Sequence, residues 1–158
     1  MKNRPFNLTM GPRGEGWVLV QAVLFASLLV IPPIPDVRFP FAGRLAGGVL
    51  LLLAGALGSL SLLHLGRNLT PFPKPRAEGE LVQHGTYAVV RHPIYTAIVF
   101  GTLGGAVLLE HVPGMAMSLV LFLFFDLKSR HEERMLRDKF PEYDTYRSRV
   151  KKLVPWIY

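Results

Sequence analysis

The sequence predicts an all-α, polytopic membrane protein, with about four transmembrane helices and a cytoplasmic C-terminal helix. Three observations predict it. Half of the 158 residues are hydrophobic, and they fall in long runs. Short basic or proline-rich stretches separate the runs, which is the pattern of membrane spans and their loops. After Leu127 the character switches to a strongly charged segment. The length suits one domain rather than two. Within a single membrane-embedded domain over 1–158, residues 1–65 read as an N-terminal helical pair and 66–158 as the functional core.

The polar stretch 1–16 carries Lys2, Arg4 and Arg13. The apolar run after it meets Ile31-Pro32-Pro33-Ile34-Pro35 rather than a small-residue cleavage site, so it reads as a retained helix and not a signal peptide. Residues 17–34 and 45–65 reach the roughly 20 apolar residues that a span needs. Residues 94–109 and 115–127 are shorter, and Glu110 to Gly114 joins them. They read as a tight helical hairpin that spans, in preference to a re-entrant pair. Lys and Arg concentrate in the N-terminal stretch, in the connection 66–91 and after Leu127. By the positive-inside rule four spans put all three, and both termini, on the cytoplasmic side. The loop 36–44 then faces outward, although it holds Arg38 and Arg44.

Glycines punctuate the second and third runs. Gly43/Gly47 and Gly101/Gly105 have the GxxxG spacing that lets helices approach closely in lipid. Packing within one chain is the preferred reading, with a dimer face as the alternative. Alternating Pro71, Pro73 and Pro75 make residues 69–76 extended. The charged stretch 129–152 reads as a helix that continues or folds off the fourth span and breaks near Pro141. The apolar, aromatic end 153–158 suits the membrane interface.

Composition also excludes. The chain has no cysteine, so disulfides, thiolate metal sites and a cysteine nucleophile are ruled out. A net charge of +7 invites a nucleic-acid reading. Its basic residues instead flank apolar runs and form no patch interleaved with aromatics, so no nucleic-acid partner is expected. Glu132 and Glu133 have no HxxxH or ExxH companion, and no metal is expected.

Two polar clusters can carry chemistry. The first runs from Leu81 to Tyr95 and leads into the third helix. There Gly85 can supply a turn with positive φ. Arg91 and His92 stand at the membrane mouth, where a carboxylate or phosphate can be gripped. Tyr87 and Tyr95 offer aromatic faces that attract a cation such as a sulfonium. Taken singly, each has a plain structural reading: a positive-inside anchor, interface aromatics, a helix-terminus histidine. The second cluster is 126–134, where Lys128 and Glu132 share a helix face. Charge pattern alone makes it a solvated helix.

Together these clusters resemble a known family. Gly85-x-Tyr87-x-x-x-Arg91-His92-Pro93-x-Tyr95, followed by Glu132-Glu133-x-x-Leu136, Phe140, Tyr143-x-x-Tyr146-x-x-x-Val150 and Pro155, is similar to the signature of isoprenylcysteine carboxyl methyltransferases and their bacterial relatives. The phospholipid N-methyltransferases are more distant. The resemblance covers roughly residues 65–157. It implies a cytoplasm-facing S-adenosylmethionine pocket roofed by the C-terminal helix, which makes 66–158 a cofactor-binding core. It also implies a bacterial inner-membrane location.

Carried over, cofactor contacts fall on Glu80, Leu81 and Val82 through backbone, on Tyr87, on His92, Pro93, Ile94 and Tyr95, and on Glu132. Lys128 stands where the family places a substrate-facing arginine, and an ammonium lacks the planar fork of a guanidinium. Pro141 replaces a common glycine, and the stretch before the paired tyrosines is one residue shorter. The implied reaction is methyl transfer to a lipophilic or amphiphilic acceptor (a carboxylate, amine or thiol) at the cytoplasmic membrane boundary, with membrane lipid as the other partner. Lys128, Arg91 and Glu133 are the candidates for catalytic roles, with Glu133 or His92 able to take a proton from an amine. The oligomeric state is open. Two other readings stand beside this one. Sterol-reductase-type enzymes using NADPH share a similar His-Pro-x-Tyr, but an acidic residue usually follows it, whereas Thr96-Ala97-Ile98 follow here. A non-catalytic membrane scaffold would have no need of the intact Tyr87, Arg91, His92, Tyr95 and Glu132.

Overall fold

The computed structural model describes residues 11–158, so Lys2 and Arg4 of the basic N-terminal stretch lie outside the described residues. The helices are α1 (Glu15–Val30), α2 (Phe41–Leu65), α3 (Pro93–Leu108), α4 (Val112–Lys139) and α5 (Tyr143–Arg149). Short 3-10 turns occupy Gly66–Asn68 and Gly85–Ala88. Among the described residues there is no strand; one parallel bridge joins Val90 to Lys151.

The four apolar runs are helical over most of their length, with three differences. Helix α1 ends at Val30, short of the expected Ile34, where Pro32 and Pro33 cannot continue it. Helix α2 begins at Phe41, directly after Pro40; the Arg44 charge hides this first turn in the hydropathy pattern. The fourth run and the charged segment form one unbroken 28-residue helix. No Pro or Gly interrupts residues 115–139, and the helix ends at Lys139, just before Pro141. At 1.5 Å per residue α4 is about 42 Å long, against a hydrocarbon layer of about 30 Å. The helix is therefore long enough to cross a bilayer, and its charged C-terminal part is the end that would project beyond. The segments Phe41–Asn68 and Val112–Lys139 are each long and apolar enough to cross a membrane. Helices α1 and α3 have 16 residues each.

Helices α2 and α3 pack through glycine, within the chain, at a different pair from the GxxxG spacings. A Cβ on Gly47 would lie 2.8 Å from Leu108 N, and one on Gly104 2.7 Å from Leu51 N. Only hydrogen fits there, so the two backbones touch. Nothing lies within 4 Å of Gly105 on that side. Helix α1 rests on α4, with Trp17 joining Leu121, Phe124, Phe125 and Val99 in the core.

At the end of the bundle near the α3–α4 turn, Glu110 gathers the loops. It accepts from Phe39 N–H at 3.1 Å and pairs with Arg38 at 3.2 Å. His111 caps α4 by accepting from Gly114 N–H at 2.8 Å through Nδ1, so Nε2 carries the proton that reaches Ile31 O at 3.0 Å. The opposite end is closed by the strap 150–158. Arg91 N and His92 N donate to Lys151 O and Lys152 O at 2.8 and 3.1 Å. Thr96 Oγ1 donates to Leu153 O at 2.6 Å.

Candidate functional site

Where α4 leaves its apolar stretch, the bundle opens into a cavity of about 340 Å³. That volume lies at the lower end of the range for small-molecule sites. The 66–92 connection forms one wall, α3 and α4 two others, and α5 closes the far side. Two links hold the connection over the cavity: Asn68 Oδ1 accepts from Glu80 N–H at 2.9 Å, and Lys139 donates to Arg76 O and, at 2.8 Å, to Gly79 O.

The 3-10 turn Gly85–Ala88 delivers Tyr87 to the cavity wall. Gly85 has φ +61°, and a Cβ there would lie 2.5 Å from the His64 ring. A side chain at position 85 is therefore barred twice, by backbone conformation and by space. His64 Nδ1 accepts from Thr86 N–H at 3.3 Å, tying this turn to the last turn of α2. Tyr146 OH donates to Tyr87 O at 2.6 Å from the other side. Burial, then the Glu132 charge and Tyr146, push the Tyr87 phenol above its ordinary range, so it remains a neutral donor. Burial does the same to Tyr143 and Tyr146.

Pro93 starts α3 at its first position, where a missing N–H costs nothing. It thereby sets the direction of His92, Ile94 and Tyr95. Tyr95 OH donates to Glu132 Oε2 at 2.8 Å, and the His92 and Tyr95 rings stack at 5.4 Å. Lys128 is buried in the wall. Its Nζ donates to Gln21 Oε1 at 2.6 Å and to Pro71 O at 3.2 Å, and lies 5.4 Å from the Tyr95 ring centre.

Ten of the predicted residues line the cavity: Glu80, Leu81, Val82, Tyr87, Arg91, His92, Ile94, Tyr95, Lys128 and Glu132. Pro93 and Glu133 do not. Glu133 Oε1 receives Arg91 Nη2 at 2.9 Å and faces His92 Nε2 at 3.2 Å, while Oε2 lies 3.6 Å from Arg147 Nε. Arg91 is equally committed, since it also donates to the carbonyls of Arg147, at 3.2 Å, and Val150. A guanidinium with those partners holds α5 and the strap against α4; it has no free fork for a ligand. Gln21, Asn68 and Arg76 line the cavity without having been singled out. Gln21 left a signal, being an amide inside an apolar run. The other two left none.

The bundle thus presents a cavity of small-molecule size at the charged end of α4, lined by both polar and apolar side chains. Comparisons with known proteins bear on what it holds. The profile of the phospholipid methyltransferase family matches residues 43–143. A probable protein-S-isoprenylcysteine O-methyltransferase of Oryza sativa subsp. indica is 28% identical over 143 residues, covering 88% of this chain and 70% of that protein. Protein-S-isoprenylcysteine O-methyltransferase B of Arabidopsis thaliana is 30% identical over 115 residues, 70% of this chain and 58% of that one. The solved structure of the eukaryotic intramembrane Ras methyltransferase ICMT has the same fold, with a TM-score of 0.69 at 24% identity. That likeness covers 94% of this chain and 54% of the solved chain, so the protein spans about half of that relative's length. The chain belongs to the phospholipid methyltransferase family.

Proposed function

We propose that this protein transfers a methyl group from S-adenosylmethionine to a lipophilic or amphiphilic acceptor at the cytoplasmic face of the membrane. The observation that carries this reading is the convergence of Tyr87, His92, Tyr95, Lys128 and Glu132, from three separate segments, on one cavity. The donor set fits the cofactor. Glu132 keeps one carboxylate oxygen free of side-chain hydrogen bonds, which suits a cationic or hydroxyl-bearing ligand. The faces of Tyr87 and Tyr95 suit a sulfonium, and Leu81, Val82, Leu136 and Phe140 supply apolar lining for a flat ring.

When bound, the cofactor supplies an activated methyl group for in-line displacement. The chain's own residues position the reactants and exclude water. Tyr95 holds Glu132 in place, Gln21 and Pro71 hold Lys128, and the Glu133–Arg91–His92 network fixes the frame behind them. Pro93 contributes by setting the start of α3, and Glu80, Leu81 and Val82 form the wall of the connection. Lys128, with two of its three N–H groups engaged, keeps one donor for an acid or a developing anion. An amine acceptor instead loses its proton to His92, with Glu133 stabilising the resulting imidazolium from behind.

In this reading α1 and α3 also span, which makes four spans with both termini cytoplasmic. Residues 66–158 are the cofactor-binding core of the single domain, and a bacterial inner membrane is the setting. The comparisons favour this reading over an NADPH-dependent reductase or a scaffold.

The test is calorimetry of S-adenosylmethionine binding to detergent-solubilised protein, with Glu132→Ala and Tyr87→Ala alongside. Binding by the wild type that both substitutions weaken supports the site. A folded wild type that binds no S-adenosylmethionine overturns it.

A further inference from the structure

The turn at the end of the strap is unusual for a polar boundary. Leu153 N and Val154 N both donate to Tyr158 O, at 2.8 and 2.7 Å, and Tyr158 N donates back to Val154 O at 3.0 Å. This closes a rigid turn whose tip is Pro155, Trp156 and Ile157. Trp156 has φ +62°, in the left-handed region that a bulky side chain seldom occupies. The strained backbone turns both large apolar side chains outward: Trp156 is 84% exposed and Ile157 77%. Exposing an indole and a branched aliphatic chain to water is unfavourable.

The depth of the turn explains them. Tyr158 OH donates to Asp126 Oδ1 at 2.8 Å, and its ring lies 6.3 Å from Phe122. The strap therefore folds back along α4, to the level of residues 122–126. These are still within the apolar part of the helix, beside the exposed side chains of Leu119, Leu123 and Leu127. Counting 1.5 Å per residue from Val112, that level lies about 15–21 Å along α4, inside a hydrocarbon layer of about 30 Å or at its boundary. Cations stand at the same end. Arg130, 58% exposed, pairs with Asp126 at 2.7 Å, and Lys151 is exposed.

We propose that the turn Val154–Tyr158 is a membrane anchor, with Trp156 and Ile157 seated in the leaflet at the cavity end of the bundle and Arg130 and Lys151 at its phosphates. Trp prefers this interfacial depth, and a basic flank adds attraction to anionic lipid. The same strap supplies the carbonyls that hold Arg91 N and His92 N, so seating it in lipid steadies the frame of the cavity. The Lys152–Asp126 pair, at 2.6 Å and buried, fixes the strap to α4.

The chain has two tryptophans and no cysteine, which makes the test direct. Trp17→Phe leaves Trp156 as the sole emitter, and the full chain is reconstituted into phosphatidylcholine–phosphatidylglycerol vesicles. A seated turn gives blue-shifted emission that lipids brominated along the upper acyl chain quench severalfold and aqueous iodide leaves unchanged. Because Trp17 is buried in the core, Ile157→Cys carrying a polarity-sensitive fluorophore, on an otherwise unchanged chain, gives a second reading of the same depth. Red-shifted emission quenched by iodide and indifferent to brominated lipid, in whichever variant folds, overturns the anchor. Neither readout depends on methyl transfer, so the anchor stands or falls apart from the proposed activity.

Discussion

The two ends of the bundle both use carboxylates to hold chain segments together, and they use them differently. At the far end Glu110 collects Arg38, Arg44 and Phe39 N–H within reach of solvent. Each link there is weak because water competes for it. At the cavity end three carboxylates sit on α4 within two turns. Asp126 and Glu133 are held by cations: Lys152 and Arg130 around one, Arg91 and Arg147 around the other, with the His92 ring also facing Glu133. Glu132 is the exception. Its hydrogen bond comes from the Tyr95 phenol, and the His92 ring comes no nearer than Nδ1 at 3.8 Å. The saturated carboxylates are structural, and the undersaturated one faces the cavity. A site of this kind can be recognised by its unmet electrostatic demand.

The sharpest way to break this contrast is to remove the two adjacent glutamates separately. Glu133→Ala strands Arg91 among buried carbonyls, and losing one partner of a buried pair costs about 3–5 kcal/mol. Its expected result is a large loss of thermal stability and of folded yield in detergent, with any binding defect following from that. Glu132→Ala keeps the fold. The loss of one charge-assisted contact, worth about 1.5–3 kcal/mol, lowers cofactor affinity roughly 10- to 100-fold in calorimetry. Equal melting temperatures for the two variants would erase the distinction. A third substitution tests the frame itself. Gly104→Ala puts a Cβ at 2.7 Å from Leu51 N, so α2 and α3 must separate, with an overpacking cost of about 1–3 kcal/mol visible as a lower melting temperature.

Much of the fold was legible in the sequence because lipid imposes long apolar runs, and the four helices follow them. The continuous α4 was legible as one of two options. The composition offered no break before Pro141, but the change from apolar to charged resembles a boundary whether or not the helix continues. The glycine contact lies within the chain, as preferred, but spacing identifies a stripe of small residues and not the rotation of the helix that carries it. The GxxxG pairs are Gly43/Gly47 and Gly101/Gly105, whereas the backbones meet at Gly47 and Gly104. The same limit separates Glu132 from Glu133. Neighbours on a helix point about 100° apart, so a pair of acids in a motif does not reveal which one faces the cavity. Pairings across distance, such as Asp126 with Lys152 or Lys128 with Gln21, leave no local trace because the fold alone brings them together.

The smallest expected effect lies at the far end. Glu110 sits below the ordinary glutamate range, first because Phe39 N–H donates to it and then because Arg38 and Arg44 stand near. A carboxyl lowered in the folded state adds stability above its unfolded pKa and loses that contribution as pH falls through the folded value. The melting temperature of the wild type therefore declines on acidification through the carboxylate range. Glu110→Gln keeps an oxygen for Phe39 N–H and removes the charge, so its melting temperature starts slightly lower at neutral pH and loses this component of the decline. Cofactor affinity in Glu110→Gln stays at the wild-type level. Both ends would be shown to bear on the site if that affinity fell as well, and the division between a holding end and a binding end would then fail.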